Sequence, residues 1–198
     1  MLLGDLLKSV SKKYKKINVK NICFDSRKIK KNDIFFSIKG NRLSGDKFIN
    51  DVISAGASVI ITSKKVNTLN KKFPQIVVKN VRKKLSEVCS NYYKNKPTNI
   101  VAVTGTNGKS SIVDFFSQIL ALNKKPVGSI GTLGIISKNY KIKTKLTSVD
   151  PLLLHKSLDI FYKKKINNVI LEASSHGLDQ NRLDYLNFKT GIFTNLSH

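Results

Sequence analysis

The sequence predicts an α/β protein: a small mixed α/β amino-terminal domain, then a parallel-sheet α/β domain of phosphate-loop type that is expected to be incomplete at its carboxyl end. Three observations carry this. Strands and helices alternate regularly beyond Pro97, as in βαβ units around a parallel sheet. The string VAVTGTNGKSS joins an apolar strand directly to an amphipathic helix. The polar stretch KNKPTN separates that region from a differently patterned first part. The expected domains are therefore 1–96 and 97–198, within the roughly 100 to 200 residues that one large or two small domains require.

In the first domain, apolar periodicity predicts a short helix from Leu2 to Val10, a strand through Ile22 to Phe24, and a second from Ile34 to Ile38 closed by Gly40. GDKFINDVISAGA places apolar residues at helical spacing and stops at Gly56, before the strand SVIIT. QIVVK reads as another strand and Val81 to Tyr93 as a helix. In the second domain the order is strand NIVAVTG, helix Lys109 to Leu122, strand PVGSIG, helix Pro151 to Tyr162, strand NNVILEAS, a short helical turn, and strand TGIFTNL. The chain stops at His198, just after a strand and without the helix that would cover its neighbour, which is the ground for expecting an incomplete domain.

Lys and Arg number 36 against 12 Asp and Glu, a formal charge of +24, and such an excess first suggests a nucleic-acid or anionic-membrane partner. Only Arg27, Arg42, Arg82 and Arg182 are arginines, however, although planar bidentate phosphate recognition favours Arg. The lysines are scattered as short pairs, which reads as a solvated surface rather than a nucleic-acid footprint. No apolar run approaches the roughly 20 residues that span a bilayer. Asp5 interrupts the first apolar stretch and the basic residues follow it, the reverse of a secretory signal, so a cytoplasmic monomer without a membrane partner is expected. Cys23 and Cys89 lie far apart with no His at ligand spacing and read as buried thiols.

In VAVTGTNGKSS, Gly105, Thr106, Asn107 and Gly108 can turn backbone N–H groups inward, and the helix start adds partial positive charge. Lys109 can reach the β- and γ-phosphates, and Ser110, followed by Ser111, is placed to ligate Mg²⁺. The loop is shorter than G-x-x-x-x-G-K-[ST], whose first glycine would fall on Val103.

Four segments in order, FDSRKIKKNDIFFSIKGNRLSGDKFI, VAVTGTNGKSS, LTSVDPLLLH and LEASSHGLDQNRLDYLNFKTGIFTNLSH, together resemble the Mur ligase family over nearly the whole chain. The resemblance implies an ATP-dependent amide ligase of peptidoglycan precursor synthesis. It would add the third stem-peptide amino acid to UDP-N-acetylmuramoyl-L-alanyl-D-glutamate through an acyl phosphate, with ATP and Mg²⁺. It assigns the uridine end to Phe24, Ser26, Asn41, Arg42 and Leu43, and the muramoyl-peptide to Thr147, Ser148, Ser174, Gln180 and Arg182. Lys109 and Glu172 would be catalytic, with Ser110 and Glu172 holding the metal. The residues alone leave Arg27 open between facing a diphosphate and a local salt bridge with Asp25. Val149 stands where the family usually has Pro. The resemblance also implies a carbamylated lysine, a further histidine and an amino-acid-binding third domain beyond residue 198, so the 198 residues alone are expected to be catalytically incompetent. The choice between lysine and diaminopimelate is not legible here. Two rivals are another amide ligase of this architecture, such as folylpolyglutamate synthase, and a non-catalytic nucleotide- or nucleic-acid-binding protein. The DSR and SSHGLDQNR segments argue against the first, and the scarce Arg against the second.

Overall fold

The computed structural model describes residues 1–40, 44–68, 70, 72–144 and 146–197. The chain divides into two compact units, Met1–Tyr92 and Tyr93–His198. In the first unit the elements run α1 (Leu3–Leu6), β1 (Ile22–Cys23), β2 (Ile34–Phe36), α2 (Ile49–Ser54), β3 (Val59–Thr62), β4 (Gln75–Val77) and α3 (Val81–Tyr92). The four strands pair in chain order and all in parallel. Every residue of β2 and β3 is buried, as parallel strands covered on both faces require. Phe35 and Ile60 pack with Ile49, Val52 and Ala57 on one side of this sheet.

The expected helix from Leu2 to Val10 is only one turn long. The Leu3 and Gly4 N–H groups donate to the carbonyls of Ile17 and Lys15, and Leu7 turns extended at the C-cap, so Leu7 and Val10 are buried without extending a helix. The segment 45–56 opens as a 3₁₀ turn, Gly45–Phe48, before α2 begins. Cys23 and Cys89 are both buried, as expected, and burial pushes the Cys23 thiol pKa upward.

The second unit contains β5 (Asn99–Thr104), α4 (Lys109–Leu122), β6 (Val127–Gly131), β7 (Gly134–Ser137), β8 (Tyr140–Ile142), α5 (Pro151–Lys163), β9 (Asn168–Glu172), α6 (Ser175–Asp179) and β10 (Thr190–Phe193). The sheet order is β10-β5-β9-β6-β7-β8. The pairs from β10 to β6 are parallel, whereas β6 with β7 and β7 with β8 are antiparallel. The expected parallel sheet is thus present as the four strands from β10 to β6, and the β7–β8 hairpin extends it with an antiparallel edge. The hairpin of β7 and β8 uses the alternating segment GIISKNYKI, to which no element was assigned from sequence.

Successive residues of the central strands point to opposite faces, and the two faces carry different helices. Val101, Val103 and Ile170 pack with Val113 of α4, while Ile100, Val169 and Leu171 pack with Leu154, Leu158 and Phe161 of α5. Asp150 caps α5 by accepting from the Leu153 N–H at 2.9 Å, and Pro151 occupies the first turn, where its missing N–H costs nothing. Asn95 donates to Asp159 of α5 at 2.9 Å, which ties the start of this unit to α5. Among the described residues no helix is long and apolar enough to cross a membrane.

His155 of α5 is fully buried, and neither ring nitrogen has a hydrogen-bond partner among the described residues. Burial, helped by the positive charge of Lys96, pushes its pKa down to about 3 from the usual 6.5. Between those values the unfolded chain binds the proton and the folded chain does not. Stability should therefore be complete above pH 6.5 and fall with decreasing pH by up to about 1.4 kcal/mol per unit. Urea midpoints followed from pH 7 to pH 4 should drop more steeply for the natural chain than for His155→Leu; parallel curves would show that another group titrates instead.

Candidate functional site

The carboxyl ends of β5, β6 and β9 lie side by side because these strands are mutually parallel, and that edge is where ligands bind open α/β sheets. The turn from β5 into α4 is the GTNGKSS loop. α4 is 14 residues long and starts after Gly108 without any side-chain cap. Its first N–H groups have no carbonyl within the helix to bond, which leaves donors and a positive dipole end facing the pocket.

The loop is held from behind by residues following β10. Thr106 N donates to the Asn195 carbonyl at 2.9 Å and Asn107 N to Asn195 Oδ1 at 3.1 Å. Thr194 Oγ1 donates to the Asn107 carbonyl at 2.7 Å, and Ser197 N donates to Thr106 Oγ1 at 3.1 Å. Gly105 adopts φ +133° with Thr194 against it, so a Cβ there would sit 2.8 Å from the Asn195 carbonyl and closer still to Thr194 Oγ1. The Lys109 ammonium donates to the carbonyls of Gly105 at 2.6 Å and Thr106 at 2.9 Å, which lays its charge along the loop.

Glu172, the last residue of β9, is 2% exposed, yet it faces three donors. Ser110 Oγ donates to Oε1 at 3.0 Å, Thr132 N to Oε1 at 2.8 Å, and Thr132 Oγ1 to Oε2 at 3.1 Å. Thr132 Oγ1 also lies 3.2 Å from Thr147 Oγ1. Ser148, adjacent to Thr147, donates to the Glu172 carbonyl at 3.0 Å and accepts from Ser174 N at 2.9 Å. Ser174 in turn accepts from Gly177 N at 3.1 Å. Arg182 donates to the Ser148 carbonyl at 2.5 Å and, through Nε and Nη2, to Gln180 Oε1 at 3.1 and 2.7 Å.

Together Thr106 to Ser111, Thr132, Thr147 and Glu172 line a pocket of about 250 Å³. The structure thus brings the phosphate-loop residues, Glu172 and Thr147 into one pocket. Ser148, Ser174, Gln180 and Arg182 form the hydrogen-bonded wall behind Thr147. Val149 is buried in the core beneath them. Thr132, Thr194 and Asn195 were not singled out from sequence. Thr132 carries no sequence signal beyond its place after PVGSIG, and FTNL reads only as a strand end within a family segment.

The donor set suits a hard cation. A hydroxyl and a carboxylate converge beside a phosphate loop, and among the described residues no cluster of three or more His, Cys, Asp and Glu offers a closed protein site. Mg²⁺ commonly takes one or two protein oxygens and completes its shell with water and phosphate.

In the first unit, Phe24 and Ser26 are half-buried next to β1, with Ser26 opening a 3₁₀ turn capped by Asp25. Arg27 binds Asp25 through both Nε and Nη2 at 2.9 Å, so the local salt bridge is the arrangement formed, and it holds the Asp25 carboxyl below the usual carboxylate range. Asn41, Arg42 and Leu43 lie outside the described residues, as does His198.

This fold and pocket define a P-loop-type α/β domain joined to a small α/β domain. Residues 18–97 match the Mur ligase family catalytic domain and residues 103–198 the Mur ligase middle domain, and the chain belongs to the Mur ligase family. It is 38% identical over 188 residues to a UDP-N-acetylmuramoyl-L-alanyl-D-glutamate–2,6-diaminopimelate ligase of Rickettsia felis, covering 93% of this chain and 35% of the relative. The ligase of the same name from Wigglesworthia glossinidia brevipalpis is 39% identical over 197 residues, covering 95% and 40%. A solved structure of a ligase of this name superposes with a TM-score of 0.83 at 25% identity, over 100% of this chain and 41% of that one. The chain therefore spans well under half the length of the relatives it matches.

The clamp on the loop makes a stability prediction. Gly105→Ala should destabilise the second unit by about 1–3 kcal/mol, from backbone strain and the displaced Thr194–Asn195 segment. Gly191→Ala, where a Cβ meets nothing within 4 Å, should stay within about 0.5–1 kcal/mol of the natural chain. Equal denaturation midpoints for the two variants would mean the close approach at Gly105 carries no energy.

Proposed function

We propose that this chain supplies the uridine-diphosphate-binding and ATP-binding parts of a ligase that extends UDP-N-acetylmuramoyl-L-alanyl-D-glutamate by its third stem-peptide residue, for which the relatives' names give 2,6-diaminopimelate. The observation that carries the reading is the convergence of the loop at Lys109, the Ser110–Glu172 pair and Thr147 on one pocket. Sequence identity to ligases of that name over more than nine-tenths of the chain supports it.

The reaction joins a carboxylate to an amine. The substrate's D-glutamyl carboxylate attacks the γ-phosphate of ATP, giving an acyl phosphate and ADP; the incoming amine then displaces phosphate. Both steps depend on holding anions close together and in line, which is a matter of positioning and charge. Lys109 and the open end of α4 bind the nucleotide phosphates, and Gly105, Thr106, Asn107, Gly108 and Ser111 shape the backbone around them. Ser110 and Glu172 would hold Mg²⁺, which when bound supplies positive charge against the transferred phosphoryl group. Thr147 faces the peptide end of the substrate, with Ser148, Ser174, Gln180 and Arg182 fixing its loop and contacting the muramoyl-peptide. Phe24, Ser26, Asn41, Arg42 and Leu43 take the uridine end, the Ser hydroxyl bonding uracil and Arg42 the diphosphate. The cellular setting proposed is the cytoplasm, with the protein acting as a monomer.

Two measurements on the full chain test this. Lys109→Ala should weaken ADP binding by tenfold or more, whereas Lys83→Ala, on α3, should leave it unchanged; equal effects would remove the nucleotide reading. UDP titrated into the natural chain should bind at a site that ADP does not displace, and Ser26→Ala with Arg42→Ala should abolish it. If UDP binding proves absent, or competitive with ADP, the uridine assignment falls while the phosphate loop stands.

A further inference from the structure

We propose that Thr132 is a positioning residue for the divalent cation: it grips both oxygens of Glu172 and so fixes the carboxylate in the orientation the cation meets. The proposal rests on reading Glu172 as the metal ligand.

Thr132 is the first residue after β6, in the two-residue turn closed by the Gly131–Gly134 pair of the β6–β7 hairpin. The turn is pinned from outside as well, because Thr144 Oγ1 donates to the Gly131 carbonyl at 2.8 Å. From this support one residue contacts both carboxylate oxygens, its N–H at Oε1 and its hydroxyl at Oε2. A two-point grip removes rotation of the carboxylate about its terminal torsion, which is otherwise broad. The approach is close enough to exclude any side chain at residue 131: a Cβ on Gly131 would stand 2.7 Å from Glu172 Cδ.

The direction of the hydroxyl protons follows from chemistry. An ionised carboxylate only accepts, so the Thr132 hydroxyl proton goes to Glu172. Thr147 Oγ1 lies 3.2 Å from the same hydroxyl. A chain of hydroxyls thus runs from the loop bearing Thr147 to the carboxylate, and Ser110 occupies the other approach to Oε1. Groups that orient a ligating carboxylate commonly change metal affinity by about 10–100-fold when removed.

The test is the Mg²⁺ dependence of ADP binding to the full 198-residue chain, measured with and without EDTA. Thr132→Val keeps the branched shape and the backbone N–H but removes the hydroxyl, and Thr132→Ser keeps the hydroxyl. The valine variant should need roughly tenfold more Mg²⁺ for half-maximal enhancement of ADP affinity, and its metal-free ADP affinity should match that of the natural chain, which also reports an intact loop. The serine variant should recover Mg²⁺ dependence to within about threefold. Wild-type Mg²⁺ dependence in the valine variant, with Glu172→Gln losing it, overturns the role of Thr132 while leaving Glu172 in place. If the natural chain and Glu172→Gln respond to Mg²⁺ alike, the reading of Glu172 falls and the proposal with it. Should the valine variant lose metal-free ADP affinity as well, Thr132 serves the pocket's architecture and the positioning role is overturned.

Discussion

Glu172 is a carboxylate at 2% exposure, and burying such a group is tolerable only where donors replace the lost water. Much of the second unit's geometry follows from meeting that demand. The parallel register that pairs Val103 with Glu172 brings the end of β9 to the root of the phosphate loop, within reach of Ser110. The pairing of Ile130 with Leu171 brings the β6–β7 turn to its other side, within reach of Thr132. A shift of one residue in either ladder would turn the side chain to the opposite sheet face and strand it among α4 or α5 contacts. The register that makes the core is thus the register that makes the site.

The phosphate loop depends on a second, independent support. A glycine-rich turn has a high entropic cost of ordering, and here the cost is met by segment 194–197, whose backbone and side chains bond Asn107 and Thr106 from behind. Since β10 pairs directly with β5, the support arrives on the same sheet that carries the loop. Ser148 plays the corresponding part for the loop that bears Thr147. Its hydroxyl is engaged by the Glu172 carbonyl and by Ser174, and its own carbonyl by Arg182. These residues hold the wall of the pocket through one another, so their substitution would move several contacts at once.

Much of this is legible in the sequence. The helix over Lys109 to Leu122 matches its observed bounds, because a glycine turn marks its start and an amphipathic pattern runs its length. The strands ending at Thr104 and Glu172 are unbroken β-branched and apolar runs of the kind buried parallel strands require. What escaped reading had weak local signals. The β7–β8 hairpin has no Gly at its Lys138–Asn139 turn, and α1 is curtailed by backbone bonds to residues 15 and 17 that no periodicity announces. Arg27 could not be resolved between two partners from its spacing, and the bidentate bond to Asp25 came only with the conformation of that turn.

The sequence by itself determined the family and the strand, glycine-rich turn and helix that frame the pocket, because each of these is written in side-chain chemistry over a few adjacent positions. Only the tertiary structure decided which distant residues serve them. Thr132 lies 40 positions from Glu172, and Asn195 lies 88 from Asn107. Their roles arise from strand register and turn geometry, which are properties of the assembled sheet and leave no mark on any short stretch of chain.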